Sequence, residues 1–241
     1  MTGKDFKIFL DFDGTVTIND VGEEIFRKFL AEKIVSRIID DLLSYRISSR
    51  ECWERLCEAA SDINRNEFDE FILSQKIDPT LHEFLNFCKE NDFQVFVLSD
   101  GFDYYIEKIL QRENCKDLKY FSNKLIFSEE GKLVPSFPFY NSDCKSSANC
   151  KWNHIIGNSS EEDFSVFIGD GISDTDAIQY VDFIFAKSDL LKYCELNRIT
   201  YFPFNDFDDV KVRLSELLSK KRLKKRHQAQ LKRREAYLIE Y

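Results

Sequence analysis

The chain has 241 residues, 43% of them hydrophobic and 23 of them Phe, with a formal net charge of −9. It is long enough for one full α/β domain plus a smaller appendage, too apolar for disorder over most of its length, and without an apolar run of transmembrane length. The charge is uneven: from Ser219 onward nine Lys or Arg face two Glu, a net +7, which leaves −16 on the first 218 residues. So acidic a body disfavours nucleic acid as the substrate. The basic tail, 219–241, reads as a solvated terminal helix, with weak contact to an anionic surface as the other reading. Seven Cys without a C-x-x-C pair, and no apolar signal segment at the amino terminus, read as reduced thiols in a cytoplasmic protein.

The first element is Phe6 to Leu10, a mostly apolar run expected to form a buried parallel strand. It breaks at Asp11, with Asp13 and Gly14 close behind. If the extended backbone continued, residues i and i+2 would point the same way and the two carboxylates would converge on one cation. A hard, oxygen-seeking ion such as Mg²⁺ suits that arrangement. From Val21 the apolar residues recur at three and four, through Ile25, Phe26, Phe29 and Leu30 and on to Leu43, with Asp20 placed to cap the helix. Ser48-Ser49 opens another helix carrying Trp53, Leu56 and Cys57, and a third helical piece runs from Glu67 to Ser74. Residues 18–75 are therefore an all-helical insertion, well placed to cover the loop that precedes it.

Pro79 is expected to start a helix, and Gln94 to Leu98 forms the second buried strand. That strand ends in Ser99-Asp100-Gly101 before a helix at Tyr104 to Leu110. A hydroxyl and backbone N–H groups at such a point make a phosphate-sized anion site. From Tyr120 to Phe139 the chain is extended, with a Glu-Gly turn that marks a hairpin. Cys144-Lys-Ser-Ser-Ala-Asn-Cys-Lys151 then opens a helix, where a lysine opposes the helix dipole unless an anion is near. Ser165 to Ile168 is another short buried strand, followed by Gly169-Asp-Gly-Ile-Ser-Asp174 with carboxylates at Asp170 and Asp174. A helix, a strand at Phe183 to Ala186, a further helix, an extended Ile199 to Phe204 and a helix from Phe207 through Leu218 close the core. Ligands of open parallel sheets bind outside the carboxyl ends of the strands. Carboxylates, a hydroxyl and a lysine gathered there suit phosphoryl transfer.

The order Asp-Phe-Asp-Gly-Thr-Val-Thr, Leu-Ser-Asp-Gly, Lys and Gly-Asp-Gly-x-Ser-Asp resembles the four motifs of the haloacid dehalogenase-like (HAD) superfamily. The helical insertion resembles the cap of its phosphoserine phosphatase-like branch. The resemblance implies an α/β fold: a Rossmann-like core with a central parallel sheet flanked by helices (1–17 and 76–218) and a helical cap (18–75). It implies that Asp11 attacks phosphorus and that Asp13 acts as acid and then base. Ser99, Asp100 and Gly101 would hold the phosphoryl oxygens. Mg²⁺ would sit on Asp11, the Asp13 carbonyl and Asp170, with Asp174 behind. The motif lysine is Lys145 or Lys151, with Lys151 favoured because it opens the helix leading to the last motif.

Asn149-Cys150-Lys151 further resembles a subset that includes the methionine-salvage hydroxyketomethylthiopentenyl-phosphate phosphatases and the phosphocholine/phosphoethanolamine phosphatases. Two stretches, Asp182 to Cys194 and Tyr201 to Val210, look more like the former. Cys144, Cys150 and His154 fall one ligand short of a Zn²⁺ set. The substrate is expected to be a small phosphomonoester chosen by the cap. Arg46, Arg50 or Arg55 would meet a substrate carboxylate, Asp20 an ammonium group, and Phe26, Phe29 and Trp53 an apolar tail. A non-catalytic binding protein on this scaffold would lack a chemical group, and none is missing. Dehalogenation would not need Asp13.

Overall fold

The computed structural model describes residues 5–61, 63–144 and 146–239. The centre is a seven-stranded sheet in the order β4-β3-β2-β1-β5-β6-β7. The strands are β1 (Phe6–Leu10), β2 (Gln94–Phe102), β3 (Lys119–Phe127), β4 (Leu133–Ser136), β5 (Phe164–Gly169), β6 (Phe183–Ala186) and β7 (Phe202–Pro203). All neighbours pair in parallel except β4, which returns antiparallel on β3. β1 lies between β2 and β5, in register from Lys7 opposite Gln94 and from Phe6 opposite Phe164. The chain thus leaves β1 toward one side and later continues on the other, which puts the topological switch at the end of β1.

Both faces of the sheet are covered, so its strands are apolar without alternation. Phe6, Ile8 and Leu10, with Val97, Val166 and Ile168, enter one core layer; Phe9, Phe96, Leu98 and Phe167 enter the other. The aromatic richness is spent here: Phe6 packs on Phe93 and Phe164 at 5.0 and 5.5 Å between ring centroids, and Phe9 on Phe96 at 5.4 Å. Each such fully buried ring contributes about 1.5–3 kcal/mol.

Five helices stand between β1 and β2: α1 (Val21–Phe29), α2 (Glu32–Leu43), α3 (Ser49–Ala59), α4 (Arg65–Ser74) and α5 (Leu81–Glu90). They form a helical cap, whose last member also packs on the core through Phe84 stacked on Phe207 at 5.0 Å. The caps are as the sequence signals them, with Asp20 accepting from Glu23 N at 2.7 Å and Ser48 from Glu51 N at 3.2 Å. The apolar stripe from Val21 to Leu43 is two helices, because the backbone is extended at Leu30 and Ala31. Pro79 lies in the turn before α5, and Asp78 accepts from Thr80 N at 2.8 Å just ahead of its first residue, Leu81. The remaining helices are α6 (Asp103–Arg112), α7 (Lys151–Gly157), α8 (Ser188–Leu196), α9 (Phe207–Ser219) and α10 (His227–Ile239).

The basic tail is a docked element rather than a freely solvated one. Arg233 on α10 is buried, bonding Asp182 (Nη2 to Oδ1, 3.1 Å), Ser165 Oγ (2.9 Å) and the Tyr180 carbonyl (2.8 Å). Arg226 donates from its backbone to Asp182 Oδ1 at 3.2 Å and from its guanidinium to the Ile178 carbonyl. Removing one partner of a buried ion pair leaves the other charge uncompensated. Arg233→Met is therefore expected to lower stability by about 3 kcal/mol in urea unfolding; unchanged stability would mean that the pair does not anchor the helix.

Candidate active site

Past Leu10 the backbone does not stay extended. It folds into a turn at Phe12–Val16, closed by Thr17 N–H donating to the Phe12 carbonyl at 2.9 Å, with Gly14 at φ +72°. A Cβ on Gly14 would lie 2.4 Å from Asp170 Oδ2, so glycine there serves both the left-handed conformation and the close approach of the later motif. Because of this turn, Asp11 and Asp13 serve different partners, contrary to the convergence expected of an extended pair.

Asp11 Oδ1 accepts from Lys151 Nζ and from Phe12 N, both at 2.8 Å. Lys151, the first residue of α7, also donates to Asp174 Oδ1 (2.6 Å) and Ser173 Oγ (3.1 Å). Its side chain is 1% exposed, and those of Asp11 and Asp174 are 6% and 0% exposed. Burial alone would drive the ammonium to release its proton, but Asp11 and Asp174 more than offset this and hold it charged above the ordinary lysine range. Asp174 Oδ2 accepts from the backbone N–H of Asp170 (3.2 Å) and Gly171 (3.1 Å), which shapes the loop after β5. Lys145, the other candidate lysine, lies outside the described residues.

Asp13 is held at both oxygens. Oδ1 accepts from Val21 N (3.0 Å) and Gly22 N (3.4 Å) at the start of cap helix α1. Oδ2 accepts from Tyr105 OH (2.7 Å) and Ser99 Oγ (3.1 Å) on the core. Ser99 Oγ in turn accepts from Gly101 N at 2.9 Å. Burial, with the nearby Asp11 charge, raises the Asp13 carboxyl to about 7 despite those donors. Asp170 is likewise raised to about 7 by burial and Asp11, against the Thr15 hydroxyl that bonds its Oδ1 at 2.8 Å. Asp174 is raised as well, by burial first and Asp11 second.

Asp11, Asp170 and Asp174 offer oxygens within 4.8 Å of one another, the one metal-type cluster among the described residues. Four carboxylates around one ammonium leave an excess of negative charge that burial cannot tolerate unless protons or a cation neutralise it. All the donors are hard oxygens, so the residues present fit a divalent ion such as Mg²⁺.

A cavity of about 280 Å³ opens above these groups between core and cap. Asp11, Asp13, Gly101 and Asp170 reach its wall, and Ser99, Lys151 and Asp174 are buried beside them. The cap side is apolar: Ile39, Leu42, Ile47, Trp53 and Leu56. Asp20 and Glu23 are its acidic members. Although part of the Asp20 surface is open, desolvation and the neighbouring Asp13 raise its carboxyl well above the usual range. No Arg or Lys lines the cavity among the described residues. Arg46 pairs with Asp41 (2.7 Å), and Arg55 with Glu51 (2.6 Å). Arg50 pairs with Glu54 (2.9 Å) and lies over the Phe137 and Tyr140 rings.

Asp100 sits at the cavity wall, but its carboxylate is committed to structure. Oδ1 accepts from Ala148 N (2.5 Å) and Asn149 N (2.9 Å), and Oδ2 from Ser49 Oγ at the start of α3. Asn149 Nδ2 bonds the Ser99 and Phe121 carbonyls at 2.7 and 2.9 Å. Within this loop Cys144 and Cys150 are joined in a disulfide, Cα to Cα 5.6 Å, which corrects the reading of all seven cysteines as thiols. The loop folds tightly around Asp100 and brings the two together; the other five cysteines are free and buried. His154 is stacked on Phe121 at 4.2 Å and bonds Asn149 Oδ1 at 2.7 Å, so its ring serves packing rather than a Zn²⁺ set with the two cysteines. Its pKa falls to about 4 on burial. Tyr105 is a member of the site that motif reading did not single out, and Thr15 and Asn149 stand inside quoted motifs without a role assigned to them there.

The haloacid dehalogenase-like hydrolase family profile matches residues 8–179. A 2-hydroxy-3-keto-5-methylthiopentenyl-1-phosphate phosphatase of Bacillus cereus (strain B4264) is 33% identical over 217 residues, covering 89% of this chain and 98% of the relative. The protein of the same name from Bacillus anthracis (strain A0248) is 34% identical over 223 residues, with the same coverage. Among solved structures, a phosphoserine phosphatase in a phospho-aspartyl intermediate analogue superposes with a TM-score of 0.68 at 22% identity, over 87% of this chain and 99% of that one. A substrate-bound phosphoserine phosphatase complex gives 0.69 at 21%, over 88% and 99%. The chain belongs to the haloacid dehalogenase-like hydrolase family. It is a phosphatase of that family, acting on a small phosphorylated substrate. None of its described helices is long and apolar enough to cross a membrane.

The raised carboxyls set a pH signature. Asp13 and Asp170 keep their protons in the metal-free fold up to about 7, whereas in the unfolded chain they release them near the ordinary Asp value. Between those limits the folded state binds more protons, so rising pH favours unfolding. The melting temperature of chelator-treated protein is expected to fall as pH rises from about 4 to about 7, and added Mg²⁺ to reverse the loss most at the upper end. A flat profile without metal would remove the charge-excess argument.

Proposed function

We propose that this chain is a Mg²⁺-dependent phosphomonoesterase that works through an aspartyl-phosphate on Asp11, with 2-hydroxy-3-keto-5-methylthiopentenyl-1-phosphate of methionine salvage as its substrate. The observation that carries the substrate reading is the cavity wall: apolar on the cap side, without a cation to meet a carboxylate. The three cap arginines that would recognise phosphoserine are occupied in surface ion pairs. The names of the relatives at 33–34% identity support the same choice.

In the mechanism, Asp11 is the nucleophile: Lys151 holds its Oδ1, which fixes the orientation of the carboxylate for the incoming phosphorus. Asp13, with a carboxyl near neutral pKa, donates a proton to the departing alcohol and then takes one from the water that cleaves the acyl phosphate. Ser99 and the backbone at Gly101 receive phosphoryl oxygens, and Lys151 offsets their charge. Asp11, Asp170 and the Asp13 carbonyl would hold Mg²⁺, with Asp174 behind them, and the ion supplies Lewis-acid neutralisation of the phosphoryl oxygens. The cap excludes water that would otherwise compete.

A second reading rests on Asp20 and Glu23 at the same wall as Trp53. Carboxylates beside an indole suit a cationic headgroup, as in phosphocholine or phosphoethanolamine.

Steady-state rates on the methionine-salvage ester, phosphoserine, phosphocholine and an aryl phosphate test these choices. The methionine-salvage ester should exceed phosphoserine in kcat/KM by about 10²-fold or more, with no release of phosphate after chelation; preference for phosphoserine would overturn the substrate reading. Asp11→Asn should lower kcat by about 10³-fold or more and Asp13→Asn by about 10²–10⁴-fold. An active Asp11→Asn protein would remove the nucleophile assignment.

A further inference from the structure

Among the groups around the site, one buried hydroxyl has no role in the mechanism above. Tyr105 lies on α6 and is 1% exposed. Its OH reaches the site through the backbone of Gly101: a Cβ built there would lie 1.5 Å from the Tyr105 oxygen and 2.8 Å from Asp13 Oδ2. Glycine at 101 is thus the condition for the phenol to pass, and the hydroxyl ends 2.7 Å from Asp13 Oδ2. A buried phenol is a neutral donor in search of an acceptor, and here it has an aspartate.

The hydrogen bonds of Asp13 divide between two bodies. Oδ1 is held by Val21 and Gly22 N–H of the cap, and Oδ2 by Ser99 and Tyr105 of the core. Movement of the cap would break the first pair. Substrate would claim one of the second, because Ser99 has a single O–H and cannot donate to a phosphoryl oxygen and to Asp13 at once. Gly101 N–H already donates to Ser99 Oγ. What is left on the core side through both events is the phenol.

We propose that Tyr105 is a positioning residue of the reaction, whose hydroxyl keeps the Asp13 carboxyl seated on the core while the cap moves and while Ser99 is engaged by phosphate. The proposal rests on Asp13 being the proton shuttle. Tyr105 does not touch the phosphorus; it fixes where the acid and base stands when the leaving oxygen and the attacking water arrive. Misplacement of such a group costs rate rather than affinity.

The test is Tyr105→Phe, which removes one oxygen, assayed with Mg²⁺ on an alkyl phosphate and on p-nitrophenyl phosphate. The alkyl alcohol needs a proton as it leaves and nitrophenolate does not. We expect kcat on the alkyl ester to fall about 10- to 100-fold with KM within about twofold. On p-nitrophenyl phosphate the phosphorylation step is spared, and phosphoenzyme trapped by acid quench should increase because the water-activating step is slowed. Asp13→Asn measured in parallel separates the two readings. If Asp13→Asn keeps wild-type turnover, the shuttle assignment fails. If it is inactive while Tyr105→Phe matches wild type on both esters, the shuttle stands and the role of Tyr105 is overturned. An equal loss on both esters without a rise in trapped phosphoenzyme, or a rise in KM alone, also overturns it, since that is what general damage to the pocket would give. Should Tyr105→Phe not fold, Tyr105→Leu is read by the same leaving-group comparison, with the same outcomes.

Discussion

The structure depends on one buried ammonium. Lys151 is enclosed with Asp11 and Asp174, and an ion pair so far from water persists only when geometry and hydrogen bonding compensate the loss of hydration. Here a third bond to Ser173 completes the shell. The consequence is topological: the end of β1, the start of α7 and the loop after β5 must meet at one point. Three segments separated by 140 and 23 positions are fixed by one side chain. Once they meet, Asp170 is brought against Asp11, and the remaining negative charge makes the place attractive to a divalent cation.

The same economy links chemistry to the cap. Asp13 caps the first cap helix with one oxygen and bonds the core with the other. Asp100 joins the loop before Lys151 to Ser49 at the head of α3. Both aspartates stand in the loops at the carboxyl ends of the strands, so the cap rests on the site's own carboxylates. The cavity between them is mostly apolar on the cap side, apart from Asp20 and Glu23, and acidic on the core side. In the proposed function a phosphate is handled at the core end while the cap end discriminates by shape and by the absence of cations.

Much of this is legible in the residues because strand-end loops carry unusual residue types. Asp11, Asp13, Ser99, Lys151, Asp170 and Asp174 stand out against apolar strands, and the helical caps at Asp20 and Ser48 are local signals. Four things escape. The separation of Asp11 from Asp13 depends on the turn at Phe12–Val16, which an extended-strand argument cannot foresee. Tyr105 reads as one more aromatic on a helix face; its reach to Asp13 exists only because Gly101 leaves space. The tail reads as a charge run, and only the three-dimensional contact with Asp182 distinguishes buried Arg233 from its exposed neighbours. A spacing of small residues, Ala229 and Ala236 on the same side, is the faint signal of that docking. The Cys144–Cys150 bond is invisible for a similar reason, since it follows from the way the loop wraps Asp100.

The central claim is that Asp11 becomes phosphorylated, and trapping that species tests it most directly. Turnover of an aryl phosphate with Mg²⁺ would be stopped in acid within the first cycle, the protein digested, and the peptides read by mass spectrometry. The account predicts a phosphoryl group on the peptide containing Asp11, at the Asp11 carboxylate and absent from Asp11→Asn protein. Turnover without any phosphoenzyme, or a phosphoryl group on another residue, would contradict it.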